Sequence, residues 1–360
     1  MAIFTSENAV NFNTTDLLLP LSKAGTTWLS TSTTFSATNG DRVSGTGTGF
    51  LPNGPAIKPA IGTLSSLQAD DAATSAKAFV ITGLSHSFAG LAGVVGASGS
   101  KAGLAYLLNG SDLVFGSGKA DLLRGFEGGD VVDAKGGNDK LYGDAGTDLL
   151  RGGAGKDFLD GGTGLDTADY IEKTKAVVAV LKGAVASVVK VGGKAEDTIK
   201  NIEHLNGGSA ADRFTGDGQE NTLRGNGGKD TLSGKGGADE LHGGLGNDKL
   251  TGGTGGDEFY FETTLNGTTN VDRITDFKPG VDKIVLDDDI FDISDISFNF
   301  GLFFTVGTAA TSSAHRIIYN KAAGKLFYDA DGDGTTFGKV LFATVTKNLV
   351  ITADDFLLVN

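Results

Sequence analysis

Residues 231–253 read TLSGKGGADELHGGLGNDKLTGG, and within them a Gly-Gly pair, a further Gly and an Asp return at a step of nine. An internal repeat decides architecture before any single element is assigned. Followed outward at that step, with the acid at the sixth place of each block, the pattern runs through Asp112, Asp121, Asp130, Asp139, Asp148, Asp157 and Asp166. A second run carries Asp212, Asn221, Asp230, Asp239, Asp248 and Asp257, with Glu203 in a degenerate block ahead of it. Asp166 and Asp212 lie 46 residues apart, not a multiple of nine, so the arrays are separate.

Two places after each of these positions comes an apolar residue: Val114, Leu123, Val132, Leu141, Leu150 and Leu159, then Phe214, Leu223, Leu232, Leu241, Leu250 and Phe259. Each block reads as a Gly-rich turn and a strand of about three residues, of which the central one points inward. The Leu column is the expected core. Glycine supplies positive φ and lets carbonyls crowd where a Cβ would intrude. If two blocks complete one coil, acids 18 apart stack, as Asp121, Asp139 and Asp157 do. Stacked carboxylates repel unless a cation lies between them, and carboxylates with turn carbonyls suit calcium, which takes about six to eight oxygen ligands. A single Asp-Gly would be an ordinary Asx turn; thirteen phased blocks are not.

The blocks GGAGKDFLD (152–160) and GGLGNDKLT (243–251) resemble the GGxGxDxUx nonapeptide of RTX proteins. The resemblance implies a parallel β-roll, with calcium held between turns by Asp carboxylates and glycine-loop carbonyls. DTADYIEKTKAVVAVLKG and EDTIKNIEHLNGGSAADRFTG are similar to the insert between two rolls, and NVDRITDFKPGVDKIVLD to the cap after the last one, adding Asp276 to the expected metal ligands. The tail from GKLFYDADGDG to LVITADDFLLVN resembles the region read by the type I secretion apparatus. This implies export with an uncleaved C-terminal signal from a Gram-negative bacterium, to a secreted, extracellular or cell-surface location. Asn221, Lys119 and Ala210 depart from the repeat, so weak sites are expected at their turns.

The expected fold class is mainly β. Residues 1–105 form a small mixed or β N-terminal domain, 106–170 the first roll, 171–206 a β insert, 207–262 the second roll and 263–360 a β cap with the secretion signal. Composition agrees: 57 glycines in 360 residues, against a usual share of ~7%, together with 39% hydrophobic residues exclude a disordered linker. A net charge of -14, from 44 acidic and 30 basic residues, argues against nucleic-acid binding and for cation binding. The absence of cysteine removes disulfides. No apolar run reaches the ~18 residues of a transmembrane segment, and MAIFTSENAVNFNTTDLLLP lacks the basic and apolar regions of a secretory leader.

Other motifs carry less. DADGDG (329–334) spaces Asp329, Asp331 and Asp333 like the start of an EF-hand loop, but Val340 stands where the closing Glu belongs, and β-like flanks read as a hairpin turn. His86, His204, His242 and His315 form no HExxH sequence, GLSHSFAG (83–90) is not a lipase elbow, and GTGTG (45–49) lacks the context of a phosphate loop. Residues 65–79 have helical spacing at Leu67, Ala72 and Ala76. Leu113, Leu122, Val131, Leu149 and Phe158 follow the acids of the first array, where the second has Thr222 and Glu240. Contact of residues 1–105 or another subunit with the Val131 and Leu149 face is therefore expected. The reading is a non-enzymatic calcium-binding protein with a surface or matrix role, self-assembly being one form of it; the alternative is a small secreted hydrolase or carbohydrate-binding adhesin with its site in residues 1–105.

Overall fold

The computed structural model describes residues 110–116, 118–293 and 300–359 in full, and the backbone of eight strands within residues 1–109. The chain divides into two compact units, Met1–Asp169 with Glu196–Ile202, and Tyr170–Ala195 with Glu203–Asn360. Both are built of strands; the one α-helical turn among the described residues is Asp288–Phe291.

In the first unit, Leu113–Phe115, Val131–Asp133, Leu149–Arg151 and Thr167–Asp169 pair in parallel at an offset of 18 residues. Leu122–Glu127, Lys140–Ala145 and Phe158–Thr163 form the opposing parallel sheet, continued by Phe158–Asp160 pairing with Thr198–Lys200. Two nine-residue blocks thus complete one coil of a β-roll. The second unit repeats the arrangement: His204–Asn206, Thr222–Arg224, Glu240–His242 and Glu258–Phe261 in one sheet, Arg213–Thr215, Thr231–Gly236 and Lys249–Thr254 in the other. Asp272–Ile274 and Lys283–Asp287 extend these two sheets into the cap.

The central residue of each strand fills the interior. Leu123, Leu141, Leu159, Leu223, Leu241 and Phe259 are all wholly buried. Beyond the second roll, Phe291 meets Tyr328 and Phe342 edge to face at centroid distances of 5.3 and 5.1 Å, giving the cap an aromatic core.

Two expectations fail. Thr63–Asp71 is a strand, paired antiparallel with Arg42–Thr48 and with Ala76–Thr82, not part of a helix over 65–79. The run Phe79–Val80–Ile81 favours strand, and an isolated helix of that length is marginal. Val131 and Leu149 are half-buried, but so are Thr222 and Glu240. Each outward side chain lies in register between neighbours 18 residues away, so stacking covers the flank of apolar and polar residues alike. Ser85, His86 and any ligand site in residues 1–105 lie outside the described residues.

The stack is closest at the glycine in the fourth place of the block, as at Gly146, Gly155, Gly246 and Gly255. Gly146 has φ +143°, and a Cβ there would fall on the Gly128 carbonyl, whereas a Cβ on Gly118 would have nothing within 4 Å. Gly146→Ala is therefore expected to remove most of the calcium-dependent β signal of the first roll, with Gly118→Ala close to wild type, as measured by far-UV circular dichroism.

Candidate metal centre

Each roll carries its acids on buried turn ends, where the side chain has two tasks. One oxygen serves the backbone. Asp130 Oδ1 accepts from the Asp112 N–H at 2.7 Å, Asp148 Oδ1 from Asp130 at 2.8 Å, and Asp139 Oδ1 from Asp121 at 2.8 Å. In the second roll Asp230, Asp239, Asp248 and Asp257 do the same for Asp212, Asn221, Asp230 and Asp239. Asp157 and Asp166 close the first array by accepting from Asp139 and Asp148.

The second oxygen has no such partner. Oδ2 of Asp130, Asp139, Asp148, Asp230, Asp239, Asp248 and Asp257 is buried without a hydrogen bond. Where the block opens on glycine, as it does for all of these but Asp139, that residue leaves room for the oxygen. A Cβ on Gly125 would lie 2.8 Å from the Gly143 carbonyl oxygen and closer still to Asp130 Oδ2; one on Gly225 would lie 2.7 Å from the Gly243 carbonyl oxygen and closer still to Asp230 Oδ2. Glycine thus leaves a cradle in which a carboxylate oxygen and a carbonyl oxygen converge. Basic side chains of the rolls pair elsewhere, Arg124 with Asp144, Arg151 with Asp169 and Lys200 with Asp160.

Acceptors alone, gathered out of water, call for a proton or a cation. Burial, opposed by the hydrogen bond from Asp112 and reinforced by Asp148, pushes Asp130 up to about 7, and burial pushes Asp230 up to about 8. Asp139 and Asp239 rise to about 6 and about 7 for the same first cause. Among the described residues no three His, Cys, Asp or Glu side chains converge on one point. A cation here must draw on turn carbonyls as well as carboxylates, a donor set that suits calcium better than zinc.

The atypical blocks differ. Asn221 Oδ1 accepts from the Asp217 N–H, and its Nδ2 donates to the Glu203 and Glu220 carbonyls. Both oxygens of Asp212 accept backbone N–H groups, from Val177 and Gly208. Those turns satisfy their own polar groups. Asp276 accepts from Gly252 and Gly253, bracing a turn.

Three further acids occupy the columns. Asp197 Oδ1 accepts from the Asp157 N–H, Asp272 from Asp248 and Asp282 from Asp257, at sequence separations of 40, 24 and 25. Burial drives Asp272 well above the usual carboxylate range, with Asp248 adding like charge. A fixed step of nine passes over them, but each begins a tripeptide of the form Asp-x-apolar that the repeats share, here with Ile in the apolar place: Asp197-Thr198-Ile199, Asp272-Arg273-Ile274 and Asp282-Lys283-Ile284.

The family model described as RTX calcium-binding nonapeptide repeat matches in four copies, over residues 107–141, 133–168, 202–232 and 224–259. The chain carries RTX calcium-binding repeats. Among solved structures, the chain is similar to the AlgE6R3 subunit of the Azotobacter vinelandii mannuronan C5-epimerase, at 25% identity and TM-score 0.30, covering 41% of this chain and 78% of that one. It is also similar to the extracellular lipase LipA from Serratia marcescens, at 20% identity and TM-score 0.23, covering 70% of this chain but 40% of the lipase. No curated protein matches it.

The raised carboxylates of the RTX turns fix a sign. A group at 3.8 in the unfolded chain and about 7 or 8 in the calcium-free fold holds its proton only when folded across that window. Its contribution is complete below the lower value and lost as pH rises through the upper. Calcium-free protein should therefore gain β signal on acidification from about pH 8 to about pH 5, whereas calcium at neutral pH should restore that signal without acid. A calcium-free β signal that falls over the same acidification contradicts this.

Proposed function

We propose that this is a calcium-folded, non-enzymatic RTX protein that works outside a Gram-negative cell, leaves by type I secretion, and serves a surface or matrix role, with self-assembly as its form of action. The observation that carries the calcium part is the column of buried Asp oxygens without hydrogen bonds, which at Asp130, Asp148 and Asp230 face a turn carbonyl across a glycine. Asp130, Asp139, Asp148, Asp230, Asp239, Asp248 and Asp257 would hold ions through Oδ2. Asp112, Asp121, Asp157 and Asp166 complete the first array; Asp212 and Asn221 lie at the weak start of the second. Calcium supplies the positive charge between stacked carboxylates, and binding free energy then becomes folding free energy. In a calcium-poor cytosol the repulsion among those carboxylates keeps the rolls open for export; outside, ions close them. The repeats and the cysteine-free composition support export, and the absence of any catalytic constellation in the sequence supports a structural role.

Chelation of the full chain should collapse its β signal and excess calcium should restore it; full β content in chelator overturns the reading. The stacking has its own check. Asp139 stands between Asp121 and Asp157, whereas Asp112 begins its column, so Asp139→Ala should lose about twice as many bound calcium ions as Asp112→Ala by elemental analysis after gel filtration. Electron microscopy with calcium, together with a glycan array, tests the surface role: ordered assemblies support it, and binding to a single sugar as a monomer overturns it.

A further inference from the structure

The turn at residues 329–339 lies outside the repeats and carries three acids that the roll does not use, of which Asp329 and Asp331 each turn an oxygen inward. It links Lys325–Tyr328 to Val340–Thr344, an antiparallel pair with Tyr328 opposite Val340. The turn is held on several sides. The Asp329 N–H donates to the Arg316 carbonyl at 2.8 Å, Asp331 Oδ2 accepts from Thr336 at 2.8 Å and from Phe337 at 3.2 Å, and the Asp333 N–H reaches the Ser312 carbonyl at 3.2 Å. Gly332, at φ +67°, lies so near Ser312 that a Cβ would stand 2.6 Å from its carbonyl oxygen. A turn clamped in this way fixes its side chains.

Asp329 is only 8% exposed, and its Oδ1 has no hydrogen-bond donor. Asp331 Oδ1 is likewise buried and without a donor. The Asp329 carboxylate takes a backbone hydrogen bond from Asp331, and the like charge of the Asp331 carboxylate acts on it. The charge of Lys339 acts on Asp329 but does not fill the gap, since its ammonium donates to the Thr308 carbonyl and lies 4.8 Å from the Phe327 ring centre. We propose that this turn is a divalent-cation site distinct from the roll turns, in which Asp329 Oδ1 and Asp331 Oδ1 bind calcium, with backbone carbonyls and water completing its shell.

The first and third places of a DxDxDG loop thus converge, while the twelfth, Val340, offers no bidentate closure. Two carboxylates without that closure place the site at the weak end of calcium affinities, about 10⁻⁴–10⁻³ M, the range of extracellular modules. Such a site fills only where the ion is abundant, and there it locks the hairpin onto the Ser312 segment.

The test is a count of calcium per full chain after equilibrium dialysis at several millimolar, comparing wild type with Asp329→Asn and Asp331→Asn, with far-UV circular dichroism on each. One ion fewer in both variants, with the β signal intact, is the expected result. Asp329 is buried, so Asp331→Asn decides if Asp329→Asn misfolds: one ion fewer supports the site, and an unchanged complement overturns it in favour of two carboxyls sharing a proton. The difference is read between variants of one hairpin, so it stands whether or not the rolls load as proposed.

Discussion

A buried carboxylate oxygen without a donor is among the costliest groups a protein interior can hold, and these rolls place one at the end of most glycine turns. The rest of the architecture follows from how that cost is met. One oxygen of the acids inside each column is satisfied by a backbone N–H one coil away, which locks the 18-residue register. The other is left for a cation, which is why the first place of their blocks is glycine or, before Asp139, alanine, and why Arg124, Arg151 and Lys200 are paired with acids outside the columns. An arginine placed in the column would neutralise the charge permanently and make the fold indifferent to calcium.

The same register imposes strain. At the second place of the Gly-Gly pair the backbone is left-handed even where glycine is absent: Phe126, Lys135, Asp144, Asn226 and Lys235 have φ between 65° and 83°. For side chains other than Asn and Asp that conformation costs roughly 1–2 kcal/mol. The stack dictates the turn, and the local sequence yields to it. Such residues make the open state of a turn relatively more favourable, so the rolls depend more heavily on the ion than a pure glycine repeat would.

Much of this was legible in the residues. The columns, their inward Leu positions and the two-block coil follow from a strict period, because stacked turns tolerate no insertion. Asp197, Asp272 and Asp282 escaped the period because longer excursions of the chain precede them, yet each keeps an apolar residue two places on, as the repeats do. The helix over 65–79 was misread because spacing of small residues there competes with a β-branched run that finds partners on both sides. The outward apolar face was misread because burial on a roll comes from in-register neighbours, which a count of apolar residues does not register.

The hydrogen bonds from backbone N–H groups to the stacked Asp carboxylates all point one way. Each carboxylate accepts from the coil before it, as Asp148 does from Asp130 and Asp130 does from Asp112. A roll therefore has polarity: its leading end offers acceptors and its trailing end offers donors. The two ends cannot be capped alike. At the start of the second roll the Val177 N–H supplies Asp212 with a donor; at its finish Asp272 and Asp282 supply acceptors. Two such modules brought together head to tail match acceptor to donor, whereas head to head they set carboxylate against carboxylate, so the ladder carries a directional rule for joining rolls in series.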